Sequence, residues 1–406
     1  MVVIGAGFTG LACARRLAEM FHFASIGLLE ADRIGAGNSG RNSGFLLDSS
    51  FYDEAPPVVQ AARTRLQRGG LRELSRVVSE NRIACDWQPS GNLYGSITEG
   101  EDRWLSRLAK RYSACGEPPE VWSGGRMGEV TGSKRFLRGL FHPGTVLVQP
   151  VKLVRGLAAT LPRNFQVFEN TGVLALEHRG AHIELRTEES RIAADKIFLY
   201  ANGGTPGLGY GKNRLLKVST FAAMTVPIIA RSGAIGEAES FGLLPCSPGG
   251  ATLRKTRDNR LLVRQVLVYT PKGCPPREDY GRFVDQARET IALRWPELAR
   301  VAFEFVWSGI MSLTRNNAQI FGGVEKNLYV AAFCNGAGNT LGTMAGKLLA
   351  ELSDGRESDL LADQMGLPQP RRLPPDFVCR FFVNRKIAAA NRQLEKVYAA
   401  VRAAER

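Results

Sequence analysis

At 406 residues the chain is too long for one ordinary hydrophobic core and is predicted to form two domains. Its 44% hydrophobic and 23% charged residues are globular proportions that exclude a largely disordered chain, and no apolar run reaches the roughly eighteen residues that a membrane-spanning helix needs. The formal net charge of +14 raises nucleic acid or an anionic surface as a partner, but the basic residues are spread along the chain, which argues against nucleic acid.

In chain order, Val2 to Ile4 reads as a buried β-branched strand that runs into Gly5-x-Gly7-x-x-Gly10, with Phe8 and Thr9 inside the turn. A helix follows over residues 11–20, with Leu11, Ala14, Leu17 and Ala18 on one face, and a second strand ends at Glu30, just before Ala31. Gly5 permits the tight turn, Gly7 lets backbone approach a pyrophosphate, and Gly10 lets helix pack on strand. The helix N-terminus suits phosphate and Glu30 suits ribose hydroxyls, so this unit predicts dinucleotide binding; the bland alternative is a strand-turn-helix without a ligand. Residues 34–44 form a polar loop with glycines at 35, 37, 40 and 44, a composition suited to close backbone approach.

Helices are predicted over residues 62–83, with an interruption at Gly69-Gly70, over 104–112, and within 146–162. Strands follow at 165–176 and 182–187, and residues 196–204 bring a buried strand into a small-residue turn. Strands at 218–230, 252–255, 261–269 and 301–309, with a helix at 278–295, predict an inserted antiparallel sheet. A last buried strand, 328–333, leads through residues 334–340 into a helix at 341–352. The expected division is discontinuous: residues 1–48, 145–215 and 320–365 for the nucleotide domain, 49–144 and 216–319 for the substrate domain, and 366–406 for a basic extension. That extension holds nine Lys/Arg against three Asp/Glu from residue 371 onward, with Val383, Ile387, Leu394, Val397 and Val401 at helical spacing. It reads as a docked terminal helix, with a membrane-surface or partner role as the lesser alternative. Seven scattered cysteines without C-x-x-C, and four histidines outside any ligand spacing, predict reduced thiols, no metal and a cytoplasmic protein.

The Gly5–Gly10 turn with Glu30, the Gly37-Asn-Ser-Gly-Arg-Asn-Ser-Gly44 loop, the strand ending Ala201-Asn-Gly-Gly204 and the turn Asn335-Gly-Ala-Gly338 before a helix together resemble the FAD-dependent D-amino-acid oxidase family. The resemblance covers about residues 1–355 and is nearest the γ-glutamylputrescine oxidase-like branch beside the glycine and sarcosine oxidases. It implies an α/β fold: a three-layer, Rossmann-like FAD-binding domain with a parallel sheet, carrying an inserted α+β substrate domain with a mixed or antiparallel sheet. It implies noncovalent FAD held by Gly5, Gly7, Phe8, Thr9, Gly10, Glu30 and Ala31, and by Ser39, Gly40, Arg41, Asn42, Ser43 and Gly44. Val173 would meet the adenine, and Ala201, Asn202, Gly203, Asn335, Gly336, Ala337, Gly338, Asn339, Thr340 and Leu341 complete the set.

The implied reaction is oxidation of a CH–NH bond in a primary or secondary amine or amino-acid derivative by hydride transfer to flavin N5. The imine is then hydrolysed, and the flavin is reoxidised by O2, giving H2O2, or by another acceptor. No side chain is assigned as a certain catalyst. Phe45, Leu46, Leu47, Met224 and Met311 are expected to line the substrate pocket. The arginine that clamps carboxylate in the glycine and D-amino-acid oxidase branch is replaced by Met311, and the sarcosine-oxidase lysine by Thr340. Arg254 and Arg315 are the remaining candidates for an anion, although Arg254 is expected to be solvated. Two alternatives stay open: an NAD(P)-dependent Rossmann dehydrogenase, which leaves the second and third glycine-rich turns without a task, and a non-catalytic flavin-binding subunit of a larger dehydrogenase. The oligomeric state is not determined by the sequence.

Overall fold

The computed structural model describes residues 1–50, 55–228, 234–247, 249–271, 273 and 280–404. Two sheets organise it. The first has six strands in the order Ile320–Glu325, Leu328–Ala332, Ile197–Leu199, Val2–Ile4, Ile26–Leu29, Phe165–Phe168. All are parallel except Ile320–Glu325, which turns back along Leu328–Ala332 at one edge. Val2–Ile4 lies inside this sheet and is buried on both faces, which is why it is uniformly apolar instead of alternating.

One face is covered by the helices Phe8–Met20, Pro57–Glu80 and Thr340–Leu352, whose Leu11, Leu17, Leu66, Leu348 and Leu349 share a core. The other is covered by a three-stranded antiparallel meander, Ala175–Arg179, His182–Arg186 and Arg191–Ala194, whose Ile183 and Leu185 pack on Ile197 and Leu199. Helices, parallel sheet and meander make the three layers.

The second sheet has eight strands in the order Phe303–Leu313, Leu216–Thr225, Leu261–Tyr269, Thr252–Lys255, Phe241–Leu244, Asn92–Ser96, Arg138–His142, Glu120–Ser123. Its pairings are antiparallel except between Phe241–Leu244 and Asn92–Ser96. Side chains alternate between its faces. Ala223, Leu253, Leu261 and Val263 form a core with Ile291 of the helix Gly281–Arg294 and with Leu394 and Val397 of the terminal helix Asp376–Ala404. Met224, Leu262, Arg254 and Gly242 fall on the opposite face, where an added Gly242 side chain would meet the Phe45 ring at 2.4 Å.

Several boundaries differ from expectation for identifiable reasons. The helix predicted over 62–83 spans Pro57–Glu80 and runs unbroken through Gly69-Gly70. A Cβ at Gly70 would lie 1.9 Å from the Thr340 carbonyl oxygen, so the glycines allow helix to meet helix. This helix falls in the 49–144 segment expected with the substrate sheet, yet it packs in the core of the first sheet. The strand expected over 165–176 is two strands in different sheets, separated by a turn with Asn170 at φ 52°. The strand expected over 218–230 ends at Thr225, with 229–230 outside the described residues, and the helix expected from 278 starts at Gly281, with 278–279 outside them.

Candidate active site

Three glycine-lined turns meet where the two sheets face each other. At the first, Gly5 adopts φ 100°, and a side chain there would lie 2.8 Å from the Tyr200 carbonyl oxygen. A Cβ at Gly10 would fall 1.8 Å from the Gly5 carbonyl oxygen, and one at Gly7 2.7 Å from Ser39 Oγ. The helix Phe8–Met20 starts at Gly7 without a side-chain cap. Phe8 N–H donates instead to Ser39 Oγ from the second loop (3.2 Å). Glu30 fixes the turn: Oε2 accepts from Ala6 N–H (2.8 Å) and Oε1 from Asp32 N–H (3.3 Å). Beside it, Thr171 N–H donates to the Glu30 carbonyl (2.7 Å), which brings Gly172 against Ala31 and leaves Val173 half-buried next to it in the chain.

The second turn is laid on the eight-stranded sheet. Asn38 Oδ1 accepts from Ile310 N–H (3.1 Å), the Arg41 carbonyl accepts from Trp307 Nε1 (3.0 Å), and Arg41 Nε donates to the Ala36 carbonyl (2.6 Å). A Cβ at Gly40 would lie 2.0 Å from the Gly35 carbonyl oxygen. Asn42 bridges Ser39 and Gly44, donating to the Ser39 carbonyl (2.7 Å) and accepting from Gly44 N–H (2.8 Å). Arg254, expected to be solvated, is only 5% exposed. Its Nη1 donates to the carbonyls of Ser43 (3.0 Å) and Val148 (2.6 Å), so it braces the loop from beneath. Burial pushes its pKa down to about 10, which leaves it a cation at neutral pH.

At the third turn Asn335, at φ 49°, accepts from Thr314 N–H (2.7 Å) and donates to the Phe333 (2.7 Å) and Ala318 (3.0 Å) carbonyls. Asn202, after half-buried Ala201, accepts from Phe333 N–H (3.1 Å), and a Cβ at Gly203 would lie 3.2 Å from Ser312 Oγ. Gly336 adopts φ 85°, and Ala337 N–H donates to the Cys334 carbonyl (3.0 Å). Asn339 Nδ2 donates to the Phe45 carbonyl (2.9 Å) and Thr340 Oγ1 to the Leu47 carbonyl (2.7 Å), joining this turn to the second. The helix Thr340–Leu352 also starts without a side-chain cap, at Asn339, and Leu341 is buried in its first turn. Gly338, Gly342 and Gly346 recur every four residues into this helix and allow a close neighbour. The neighbour is another helix: side chains at 342 and 346 would meet Thr9 Oγ1 (2.7 Å) and the Thr9 carbonyl oxygen (2.0 Å), while Gly338 abuts Cys334.

Two helix N-termini without a side-chain cap, and two buried hydroxyls without partners, Ser43 Oγ and Ser312 Oγ, together fit a long phosphate-bearing cofactor that touches all three turns. Among the described residues no acidic, His or Cys cluster could hold a metal.

The expected pocket divides. Leu46 is fully buried in the core of the first sheet, and Phe45 packs with Leu147 and Leu244, so both act as core. Leu47, Met224 and Met311 are half-buried and remain pocket candidates. Arg315 lies exposed in the turn after Phe303–Leu313. The structure brings a different guanidinium, Arg264, to the loop-facing side of the sheet: its Nη2 donates to Thr252 Oγ1 (2.7 Å) and its Nη1 lies 3.9 Å from Met311 Sδ. The strand alternation that places Met224 and Leu262 on this face also places Arg264 there, a signal that was present in the sequence. Val266, two residues on, holds φ 62° opposite a register shift at Thr220/Phe221; such a bulge re-aims neighbouring side chains.

A model of the family described as FAD dependent oxidoreductase matches residues 1–352. γ-Glutamylputrescine oxidoreductase of Escherichia coli K12 is 26% identical over 387 residues, 91% of this chain and 87% of that protein. The crystal structure of glycine oxidase from Geobacillus kaustophilus superposes with a TM-score of 0.76 at 20% identity, covering 92% of this chain and 98% of that one. For L-proline dehydrogenase from P. horikoshii the TM-score is 0.73 at 18% identity, with 88% and 94% covered.

Proposed function

The chain belongs to the FAD-dependent oxidoreductase family and is an enzyme that uses FAD, and from that premise we propose that it oxidises the CH–NH bond of a primary or secondary amine or amino-acid derivative. The observation that carries this reading is the junction at Asn339 and Thr340, whose side chains hold the loop of residues 42–47 against an uncapped helix N-terminus. Bound FAD supplies the two-electron acceptor, which O2, with release of H2O2, or another acceptor then regenerates.

The chain's own groups bind, orient and exclude water. Backbone N–H groups at Thr9 and Gly10 would donate to phosphate, Glu30 would accept from ribose hydroxyls, and Val173 and Ala31 would hold the adenine. Gly5 and Gly7 let the first turn pack against Tyr200 and Ser39, as Gly40 and Gly44 let the second pack against Gly35 and Val148, and Ser39, Arg41, Asn42 and Ser43 would supply donors for the other phosphate and the ribityl chain. Donors from Gly338 to Leu341 would stabilise the negative charge that the bound cofactor's ring takes up. Leu47, Met224 and Met311 make an apolar wall that favours a neutral, reactive amine over an ammonium. Arg264 is the group we assign to an anionic substituent, and the carboxylates of glycine and of γ-glutamylputrescine, named in the similar proteins, suit it.

We assign residues 1–48, 57–80, 145–215 and 320–365 to the FAD-binding part and the eight-stranded sheet to the substrate part. No helix among the described residues is long and apolar enough to cross a membrane. We assign the protein to the reducing cytoplasm, a reading supported by the six described cysteines, all of them free. The test is anaerobic mixing of the flavoprotein with a panel of amines and amino acids. Bleaching of the flavin band by at least one CH–NH substrate is expected, with Arg264→Met weakening only the carboxylate-bearing members. A flavin that no amine reduces sinks the reading.

A further inference from the structure

The first half of the terminal helix carries an aromatic, cationic tip that the fold leaves uncovered. Phe377, Phe381 and Phe382 are 75%, 62% and 57% exposed, whereas Leu394, Val397 and Tyr398 further along are buried against the eight-stranded sheet. Single exposed hydrophobic residues are ordinary on a protein surface, but three phenylalanines within six residues form a patch. The tip is anchored: Asp376 accepts from Tyr269 OH (2.9 Å), and Cys379 Sγ donates to the Pro374 carbonyl (3.3 Å). Arg372, Arg385 and Lys386 stand exposed around it and enter no ion pair among the described residues. Asp376, the acid of this stretch, is already shared with Arg380 (3.5 Å).

We propose that this tip docks the protein on an anionic lipid surface, with the phenylalanine rings seated at headgroup depth and the surrounding cations on lipid phosphates. Aromatic rings beside unpaired Arg and Lys are the composition that partitions into an anionic interface, where apolar burial and electrostatic attraction add. A second copy of this chain, itself at +14, would bring like charge to the same place. The segment also lies beyond residue 352, where the family match ends, so the redox site does not account for it.

The experiment is co-sedimentation of the flavin-loaded protein with phosphatidylglycerol-containing vesicles and with pure phosphatidylcholine vesicles. Binding to the first alone, released by salt, is expected. Both the triple variant Phe377→Ser, Phe381→Ser, Phe382→Ser and the double variant Arg385→Glu, Lys386→Glu should lower partitioning on the order of tenfold or more, while keeping the wild-type flavin spectrum and circular dichroism. Absence of binding to anionic vesicles overturns the proposal, as does binding that survives both variants. If the wild type is instead a dimer that the phenylalanine variant splits, and no vesicle binding occurs, the patch belongs to a second copy.

Discussion

Glu30 holds a turn together and still has acceptor capacity for the ligand we assign to it. Its carboxylate accepts two backbone N–H groups, from Ala6 and Asp32, and so holds the glycine turn open at the end of its strand. Each carboxylate oxygen has a further lone pair for a ribose hydroxyl. Glu30→Ala removes a charged acceptor worth about 1.5–3 kcal/mol, so FAD affinity should fall roughly tenfold to a hundredfold. Titrating apoprotein with FAD by flavin fluorescence quenching measures this directly, and an unchanged Kd would refute the role. Arg254 is the converse case, because nothing in its sequence neighbourhood reveals that the Ser43 and Val148 carbonyls capture it. Its cost of burial is offset by its hydrogen bonds to those carbonyls, which hold the loop we assign to the cofactor.

At the scale of elements, close helix packing aims the donors of the third turn. The helices Phe8–Met20 and Thr340–Leu352 touch through Gly342 and Gly346, and Pro57–Glu80 approaches Thr340 through Gly70. The Thr9 carbonyl oxygen that would meet a side chain at position 346 belongs to backbone and cannot swing away. Gly346→Ala should therefore lower stability by about 1–3 kcal/mol through overpacking, whereas Gly366→Ala, which meets nothing within 4 Å, should not. Thermal unfolding of the two variants beside wild type separates the outcomes; equal stability would mean the helix contact is looser than described. The sequence made Gly69-Gly70 look like an interruption because glycine is a poor helix former, and only a partner helix reveals what the missing side chains permit.

At the scale of the whole molecule, the three turns we assign to FAD come from chain segments more than three hundred residues apart, so FAD should act as a clasp. A ligand at a hundredfold excess over its Kd stabilises the native state by about 2.7 kcal/mol, which for a chain of this size is a rise of roughly 3 °C in Tm. FAD added to apoprotein should give such a shift and NAD should give none, because NAD has no flavin to engage the Asn339–Thr340 junction. A shift with NAD and none with FAD would return the chain to the dehydrogenase alternative.

The sequence by itself determined what is local. Apolar runs and glycine spacing defined the parallel strands, the glycine-rich first turn and the two helices whose N-termini we assign to the cofactor, because a strand-turn-helix of that kind leaves its pattern within thirty residues. Alternation defined the second sheet, although neither strand order nor the split at Asn170 could be read from periodicity, since one polar turn residue with a positive φ leaves no periodic trace. Tertiary structure alone decided which side chains meet. It took Phe45 and Leu46 into cores, closed Arg254 under a loop, left Arg315 in solvent and brought Arg264 beside Met311. Such choices depend on sheet register and on which face a neighbouring segment covers, quantities set by contacts between residues remote in the chain.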